Sequence, residues 1–73
     1  VTVAPITTTI REIPSELYLD QDDGMDEPCV ANFDNIVTLP KDQLSELITT
    51  LSFEKMLESE KAIRFALGFV GLV

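Results

Sequence analysis

The stretch VTVAPITTT, residues 1–9, is a run rich in β-branched side chains that is divided by a single proline. Apolar side chains occupy Val1 and Val3, and after Pro5 the apolar position shifts phase to Ile6. Successive side chains of a strand point to opposite faces, so a phase shift exchanges the two faces. The stretch therefore predicts a strand with a bulge or an edge position at Pro5, whose nitrogen cannot donate to a ladder.

The segment that follows predicts a second strand and an acidic turn. In SELYLD, Leu17 and Leu19 alternate with polar neighbours, which is typical of a half-buried strand. The next segment, DQDDGMDEP at residues 20–28, is acidic and contains a glycine and a proline, so it predicts a turn or loop. Compared with a calcium-binding loop, Gly24 comes one position early and Ala31 replaces the closing Glu, so no calcium site is predicted.

Residues 29–39 alternate regularly and predict one long strand with an apolar face. One amide, Asn35, lies in that face, where it is either hydrogen-bonded in the core or exposed at a bulge. A turn follows Pro40, and ELITTLS then predicts a short strand. The patterns together predict an α+β, mainly β domain with antiparallel strands at about residues 1–8, 15–20, 29–39 and 46–51.

A C-terminal helix is predicted over about residues 53–67. Ser52 is a good N-cap, and Gly68 is suited to the position just after the last turn. On a helical wheel, one apolar stripe is expected to pack on the sheet. The residues of this stripe are Met56, Ile63, Ala66 and Leu67.

Two phenylalanines, Phe65 and Phe69, fall with Ala62 on the opposite side, where the helix of a monomer should be polar. Two explanations remain open for this apolar side. Either the tail folds back over Phe65, or these side chains form a subunit interface.

The composition is that of one folded domain spanning residues 1–73. Thirteen Asp and Glu against five Lys and Arg give a net charge of −8, which opposes binding to nucleic acid or an anionic membrane except through a local basic surface. The single Cys29 cannot form an internal disulfide, which makes a reducing cytoplasm the expected compartment. The apolar tail GFVGLV is far shorter than a membrane span, so no membrane partner is expected.

The residue types exclude several kinds of chemistry. Histidine is absent, so Ser-His and Cys-His catalysis and His-containing zinc sites are excluded within this chain. Cys29 lies in an apolar row without a basic neighbour, which predicts a buried, unreactive thiol. Neither a metal site nor a cofactor is predicted. The row Thr7, Thr8 and Thr9 is explained by strand propensity, although its hydroxyls can also donate to phosphate oxygens.

Three separated segments together resemble the bacterial MazF/PemK toxin family: VTVAPITTTIREIPSELYL, CVANFDNIVTLPK and LITTLSFEKMLESEKAIRFALG. They occur in the family's order and at its spacing, and they cover nearly the whole chain. The resemblance implies the C-terminal two thirds of an SH3-like β-barrel with a C-terminal helix, and hence an incomplete barrel. It also implies a homodimer in the bacterial cytoplasm that is held in check by a cognate antitoxin protein.

By this resemblance, the protein is an endoribonuclease of a type II toxin–antitoxin system that cleaves single-stranded RNA without a metal ion. The ribose 2′-hydroxyl attacks the adjacent phosphate. Thr7 matches the family's active-site threonine, which hydrogen-bonds the phosphate, and Pro5 and Ile6 belong to the same motif. Thr8 and Asn35 are further candidates for contacts to the substrate.

The chain departs from the family pattern in three places. The family's first two strands, with an Arg-Pro and an apolar run, should precede Val1, and that arginine is the expected cationic partner of the threonine. Arg11 is not its positional equivalent. Val37 stands where relatives usually carry a basic residue, and Phe53 where many carry proline, which costs little. Loss of two strands leaves an open edge at VTVAPIT, which we expect upstream residues, another chain or strand exchange to cover.

The sequence leaves the function open between three alternatives. In the first, the chain is part of an endoribonuclease toxin and is inactive alone, because a single hydroxyl lacks the positive charge needed at the phosphorane. In the second, it is a catalytically inactive truncated relative that dimerises or binds antitoxin. A net charge of −8 suits a protein partner better than RNA, and Phe65 and Phe69 offer an apolar patch for it. In the third, it is an unrelated small β-domain.

Overall fold

The structure, a computed structural model, describes residues 1–68 of the chain. These residues contain five short β-strands and one α-helix, joined by turns and loops. All strand pairs are antiparallel, which confirms the predicted α+β class. The strands form a two-stranded and a three-stranded sheet, which do not close into a barrel within these residues. The elements are β1 (Thr2–Val3), β2 (Ile6–Thr7), β3 (Glu16–Leu19), β4 (Cys29–Asn32), β5 (Val37–Thr38) and α1 (Phe53–Ala66).

Strand β4 lies at the centre of the three-stranded sheet, between β2 and β3. Its register places Ala31 opposite Ile6 on one side and opposite Leu17 on the other. Every residue of β4 is buried, as expected for a strand that has neighbours on both sides. The core cluster consists of Leu17, Leu19, Cys29 and Ala31, with Met25, Phe33 and Leu51 packed against it.

The first predicted strand is two strands, interrupted at Ala4 and Pro5. β1 pairs with β5, whereas β2 pairs with β4. The Pro5 carbonyl accepts a hydrogen bond from the Asn32 amide at 2.9 Å, while the Pro5 nitrogen has no proton to donate. The interruption predicted at Pro5 is therefore present, but one continuous strand over residues 1–8 is wrong.

The predicted long strand over residues 29–39 is also wrong, because a 3₁₀ turn at Phe33–Asn35 separates β4 from β5. Asn32 ends β4, and its side-chain oxygen accepts a hydrogen bond from the Asp34 amide at 2.9 Å. This local contact offers the backbone an alternative to the ladder and turns the chain away. The buried amide of the region is thus Asn32, whereas Asn35 is exposed.

The strand predicted over residues 46–51 is wrong, because this part of the described chain joins no ladder. Side chains hold the segment in place: the Thr49 hydroxyl donates to the Asp23 carbonyl at 3.0 Å, and Leu51 packs against the core. The fit is close, since a Cβ added to Gly24 would lie 2.4 Å from Thr49 Oγ1. The segment is therefore fastened to the acidic turn through side chains and not through backbone pairing.

The helix α1 starts after Ser52, whose hydroxyl accepts a hydrogen bond from the Lys55 amide at 3.1 Å. It ends at Ala66, so the predicted helix is confirmed to within one residue. Its buried residues are Ser59 and Ala62. Among the described residues, no helix has the length and apolar character needed to cross a membrane.

The predicted docking stripe of α1 is wrong. Two of its members, Met56 and Leu67, are 54% and 53% exposed. The helix instead packs along the outer edge of β3, where the Lys55 ammonium donates to the Tyr18 carbonyl at 2.6 Å. Small side chains let a helix approach a strand backbone closely, which explains why serine and alanine occupy the buried positions.

Candidate functional site

Thr7, the predicted phosphate-binding residue, is the last residue of β2 and is half-buried. Its Oγ1 accepts a hydrogen bond from the Thr9 amide at 3.1 Å. This contact uses a lone pair of the hydroxyl oxygen and leaves the hydroxyl proton for donation to an anion. The turn after β2 therefore holds a hydroxyl donor in a fixed position.

β2 is an outer strand of its sheet, and within the described residues no strand pairs with its second side. The Pro5 carbonyl points toward β4, where it accepts from the Asn32 amide. Because backbone groups alternate in direction along a strand, the N–H and C=O of Ile6 point away from β4. A ligand or an added strand can reach the backbone of Ile6 from this side.

The candidate residues divide between the two faces of β2. Ile6 and Thr8 line a cleft of about 460 Å³. Thr7 lies opposite Val30 of β4 and, by strand alternation, on the other face. The Thr7 hydroxyl therefore opens to a different side of the sheet from the cleft. The other residues that line the cleft are Met25, Asp26, Glu27, Cys29 and Ile48.

Cys29 lines this cleft but is only 3% exposed. Burial raises the pKa of its thiol above the ordinary value of 9.0, and the carboxylates of Glu27, Asp23 and Asp20 raise the pKa further. A raised pKa keeps the thiol protonated at neutral pH, whereas the thiolate is the nucleophilic form. The predicted burial of Cys29 is confirmed, while its low reactivity stays a prediction.

Two of the cationic side chains, Lys55 and Arg64, are engaged at elements other than β2. Lys55 is engaged at the outer edge of β3, with the Tyr18 carbonyl at 2.6 Å and the Asp23 carboxylate at 3.8 Å. Arg64 forms an ion pair within α1. The loop after β2 carries the exposed Arg11. In the described part of the chain, no group of three or more His, Cys, Asp or Glu side chains is arranged to hold a metal ion.

Glu16 is a residue of this region that the sequence patterns missed. Its Oε1 accepts hydrogen bonds from the backbone amides of Arg11 and Glu12, each at 3.1 Å. Glu12 has a φ of 57°, in the left-handed region that residues other than glycine rarely adopt. Alternation assigned Glu16 to the polar side of β3, and only the folded turn brings it back onto the loop that follows Thr7.

The remaining predicted site residues belong to other elements. Asn35 is exposed at the end of the 3₁₀ turn after β4. Phe65 is 43% exposed and lines a groove with Pro14 and Ala62. Phe69 lies outside the described residues.

The sequence of this chain matches a known toxin family along most of its length. The family described as "PemK-like, MazF-like toxin of type II toxin-antitoxin system" matches residues 1–67. The chain belongs to this family. The resemblance drawn from the three sequence segments is therefore confirmed, and the alternative of an unrelated β-domain is excluded.

Two relatives of this MazF-like chain come from Mycobacterium tuberculosis, and each is 38% identical to it. The endoribonuclease MazF3 aligns over 68 residues, which are 93% of this chain and 62% of MazF3. The probable endoribonuclease MazF2 aligns over 69 residues, 93% of this chain and 68% of MazF2. The chain thus spans less than two thirds of the length of MazF3.

Solved structures of MazF-like proteins share the fold. The Mycobacterium tuberculosis toxin MazF-mt6 superimposes with a TM-score of 0.87 at 37% identity, covering 93% of this chain and 69% of that chain. A second structure, described as a crystal structure of an Mtb toxin, superimposes with a TM-score of 0.86 at 38% identity, covering 90% of this chain and 72% of that chain. The antiparallel sheets and the C-terminal helix are therefore those of MazF-like toxins.

Proposed function

We propose that this chain is the C-terminal part of an SH3-like MazF/PemK domain, and that the full-length protein is a cytoplasmic endoribonuclease that cleaves single-stranded RNA. The observation that carries the proposal is the Thr7 hydroxyl, held by the Thr9 amide at 3.1 Å at the end of an open edge strand. The similarity to the endoribonuclease MazF3 supports the reaction class. A cognate antitoxin protein and a second copy of the chain are the proposed partners.

In the proposed reaction, the ribose 2′-oxygen forms a bond to the adjacent phosphorus, and the bond from phosphorus to the 5′-oxygen breaks. The 2′-hydroxyl loses its proton to a base, and the departing 5′-oxygen gains a proton. Negative charge builds up on the phosphoryl oxygens, to one of which Thr7 donates its hydroxyl proton. Pro5 and Ile6 carry Thr7 at the strand edge, while Thr8 and Asn35 are proposed contacts to the substrate.

A neutral hydroxyl alone stabilises the developing charge weakly, so the site needs a cationic group. The MazF/PemK resemblance implies an arginine for this role, in the part of the family domain that this chain does not span. We therefore propose that the isolated 73-residue chain does not cleave RNA, although the full-length protein does.

The test is an RNA cleavage assay in excess chelator, which removes metal-dependent contaminating nucleases. The samples are the full-length protein, its Thr7→Ala variant and the isolated chain. We expect cleavage by the full-length protein only, with a 2′,3′-cyclic phosphate on the product. Intact RNA after incubation with the full-length protein, or equal cleavage by the Thr7→Ala variant, contradicts the proposal.

A second candidate function is protein binding without catalysis, as a dimerisation or antitoxin-binding module. The net charge of −8 favours a protein partner over RNA. The exposed Phe65 lines a groove with Pro14 and Ala62, which the charged Glu58 and Lys61 also line. This function predicts that the full-length protein binds an antitoxin peptide or sediments as a dimer while RNA stays intact. Phe65→Ser should then weaken binding, whereas Thr7→Ala should leave it unchanged.

A further inference from the structure

We infer that Glu16 is a positioning residue for the proposed RNA cleavage site, because its carboxylate fixes the loop that follows Thr7. The inference rests on the proposed function. It assigns Glu16 no contact with RNA. Glu16 acts through the backbone of the loop and, at the far end of that loop, through the orientation of the Thr7 hydroxyl.

The loop at residues 8–12 is held at both ends. At its start, the Thr9 amide donates to Thr7 Oγ1 at 3.1 Å. At its end, the amides of Arg11 and Glu12 donate to Glu16 Oε1 at 3.1 Å each. Since β4 separates β3 from β2, the Glu16 side chain ties the loop back to the opposite outer strand of the sheet.

The backbone of the loop is strained where Glu16 holds it. Glu12 has a φ of 57°, which glycine adopts readily and a glutamate does not. Such a conformation persists only where its surroundings hold it in place, and the two hydrogen bonds to Glu16 Oε1 do so. Without this acceptor, we expect the segment to relax toward negative φ and the loop to leave its position.

The second carboxylate oxygen of Glu16, Oε2, has a different environment from Oε1. Among the described residues, Glu16 Oε2 is buried without a hydrogen-bond partner. An unpartnered buried polar atom is costly, and an apolar side chain at the same position would avoid that cost. The benefit of a carboxylate here is therefore the pair of amide contacts made by Oε1.

The loop matters to the site because it supplies the amide that orients Thr7. If the loop moves, the Thr9 amide leaves Thr7 Oγ1 and the hydroxyl rotates freely. A hydroxyl that must be ordered during the reaction stabilises the transition state less well than one ordered in advance. Loss of Glu16 should therefore lower kcat more than it raises KM.

The experiment compares Glu16→Ala with Glu16→Gln in the full-length protein, using single-stranded RNA in chelator. Glutamine keeps an oxygen that can accept both amides, whereas alanine removes it. We expect Glu16→Ala to lower kcat about 100-fold, the scale of a small misplacement of a reacting group, with KM nearly unchanged. Glu16→Gln should restore most of the lost kcat. Amide exchange of Arg11 and Glu12 by NMR should accelerate in Glu16→Ala only.

A second variant separates positioning from general stability. Glu12→Gly removes the backbone strain, so in the Glu16→Ala background it should recover part of the lost kcat. Because relief of this strain also stabilises the folded state, kcat is compared per folded molecule, and on that scale a variant that is merely unstable gains nothing. A normal kcat in Glu16→Ala overturns the inference, as does a loss that follows the folded fraction by circular dichroism and that Glu12→Gly does not relieve.

Failure of the proposed function gives a different result. If the wild-type full-length protein cleaves no RNA, the proposed function fails, and the amide-exchange measurement then decides the part played by Glu16. Unchanged exchange of the Arg11 and Glu12 amides in Glu16→Ala overturns the inference in that case as well. Faster exchange of these amides would show that Glu16 holds the loop, but without RNA cleavage its positioning role in the reaction is overturned.

Discussion

The two outer strands of the three-stranded sheet have very different edges. Along β3, the helix covers the edge, and the Lys55 ammonium donates to the Tyr18 carbonyl at 2.6 Å and lies 5.6 Å from the centre of the Tyr18 ring. Along β2, no strand of the described residues pairs with the outer side. β2 ends at Thr7, whose hydroxyl oxygen accepts a hydrogen bond from the Thr9 amide in the turn that follows.

The difference indicates which edge serves the fold and which serves the proposed function. Unpaired backbone groups at a strand edge tend to bind other chains, so proteins usually cover them. Lys55 satisfies such a group on β3, whereas the outer edge of β2 in the same sheet has no strand partner among the described residues and is open to a ligand or a partner. We therefore expect changes at the covered edge to alter stability and changes at the open edge to alter RNA cleavage.

The largest expected effect is that of Thr7→Ala, at the open edge. Removal of one hydrogen-bond donor from a developing negative charge typically lowers kcat by about 100- to 1,000-fold. We expect a loss of this size in the full-length protein acting on single-stranded RNA, with little change in melting temperature. Thr9→Ala is the matched control, because Thr9 contributes its backbone amide and not its hydroxyl. Equal losses in the two variants would remove Thr7 from the site.

The next largest effect should come from Gly24→Ala. This change disturbs the contact between the acidic turn and Thr49, in the segment that leads to helix α1. Gly24 has a φ of 91°, and an added Cβ would lie 2.4 Å from Thr49 Oγ1. We expect a loss of about 2 kcal/mol in the free energy of unfolding, measured by urea denaturation of the full-length protein. Gly68→Ala is the control, because Gly68 has a φ of 81° but no atom within 4 Å of the added Cβ. If both variants lose the same amount, the contact with Thr49 contributes nothing.

The elements that were predicted correctly from the sequence have local causes. The Ser52 hydroxyl caps the helix within its own first turn, and Pro5 lacks the amide that a continuous ladder needs. The strand predicted over residues 29–39 was wrong because Asn32 accepts from the Asp34 amide and ends β4. The strand predicted over residues 46–51 was wrong for a different reason. Alternation shows which side chains can line one face, but it does not show whether the backbone finds a partner, and Thr49 binds a turn instead.

The site was predictable only in part. The family resemblance predicts Thr7, because the motif is continuous in sequence, and this assignment stays a prediction. The proposal for Glu16 could not be made from the sequence, since its hydrogen bonds depend on a turn that folds the chain back onto Arg11 and Glu12. The predicted docking face of α1 was wrong because a helical wheel shows only which apolar residues share one side of the helix. Close approach to a strand edge instead favours a small residue such as Ala62, which is buried.

A smaller effect is expected from Lys55→Met, which uncovers the Tyr18 carbonyl at the protected edge. Hydrogen bonds to charged groups contribute roughly 1.5 kcal/mol or more, and this one is partly exposed to water, so we expect a loss of about 1 kcal/mol in unfolding free energy. Lys55→Arg should keep most of the stability, because a guanidinium can also donate to the carbonyl. RNA cleavage per folded molecule should not change. A lower kcat in Lys55→Met would mean that the two edges are not independent.

The smallest expected effect concerns Cys29, on the central strand between the two edges. Burial, and then the carboxylates of Glu27, Asp23 and Asp20, raise the pKa of its thiol above 9.0. The folded state therefore holds the thiol proton more tightly than the unfolded state does. The resulting stability is fully present below the unfolded pKa and is lost as pH rises through the raised folded pKa.

The measurement is the unfolding free energy of the full-length protein as a function of pH, compared with that of Cys29→Ala, whose side chain does not titrate. The stability difference between the two proteins should shrink as pH rises past the ordinary thiol pKa of 9.0, because other titrating groups contribute to both curves. Alkylation of Cys29 in the folded protein should also be slow. Rapid alkylation near neutral pH would mean that the core around Cys29 opens in solution, because Cys29 is only 3% exposed in the folded protein.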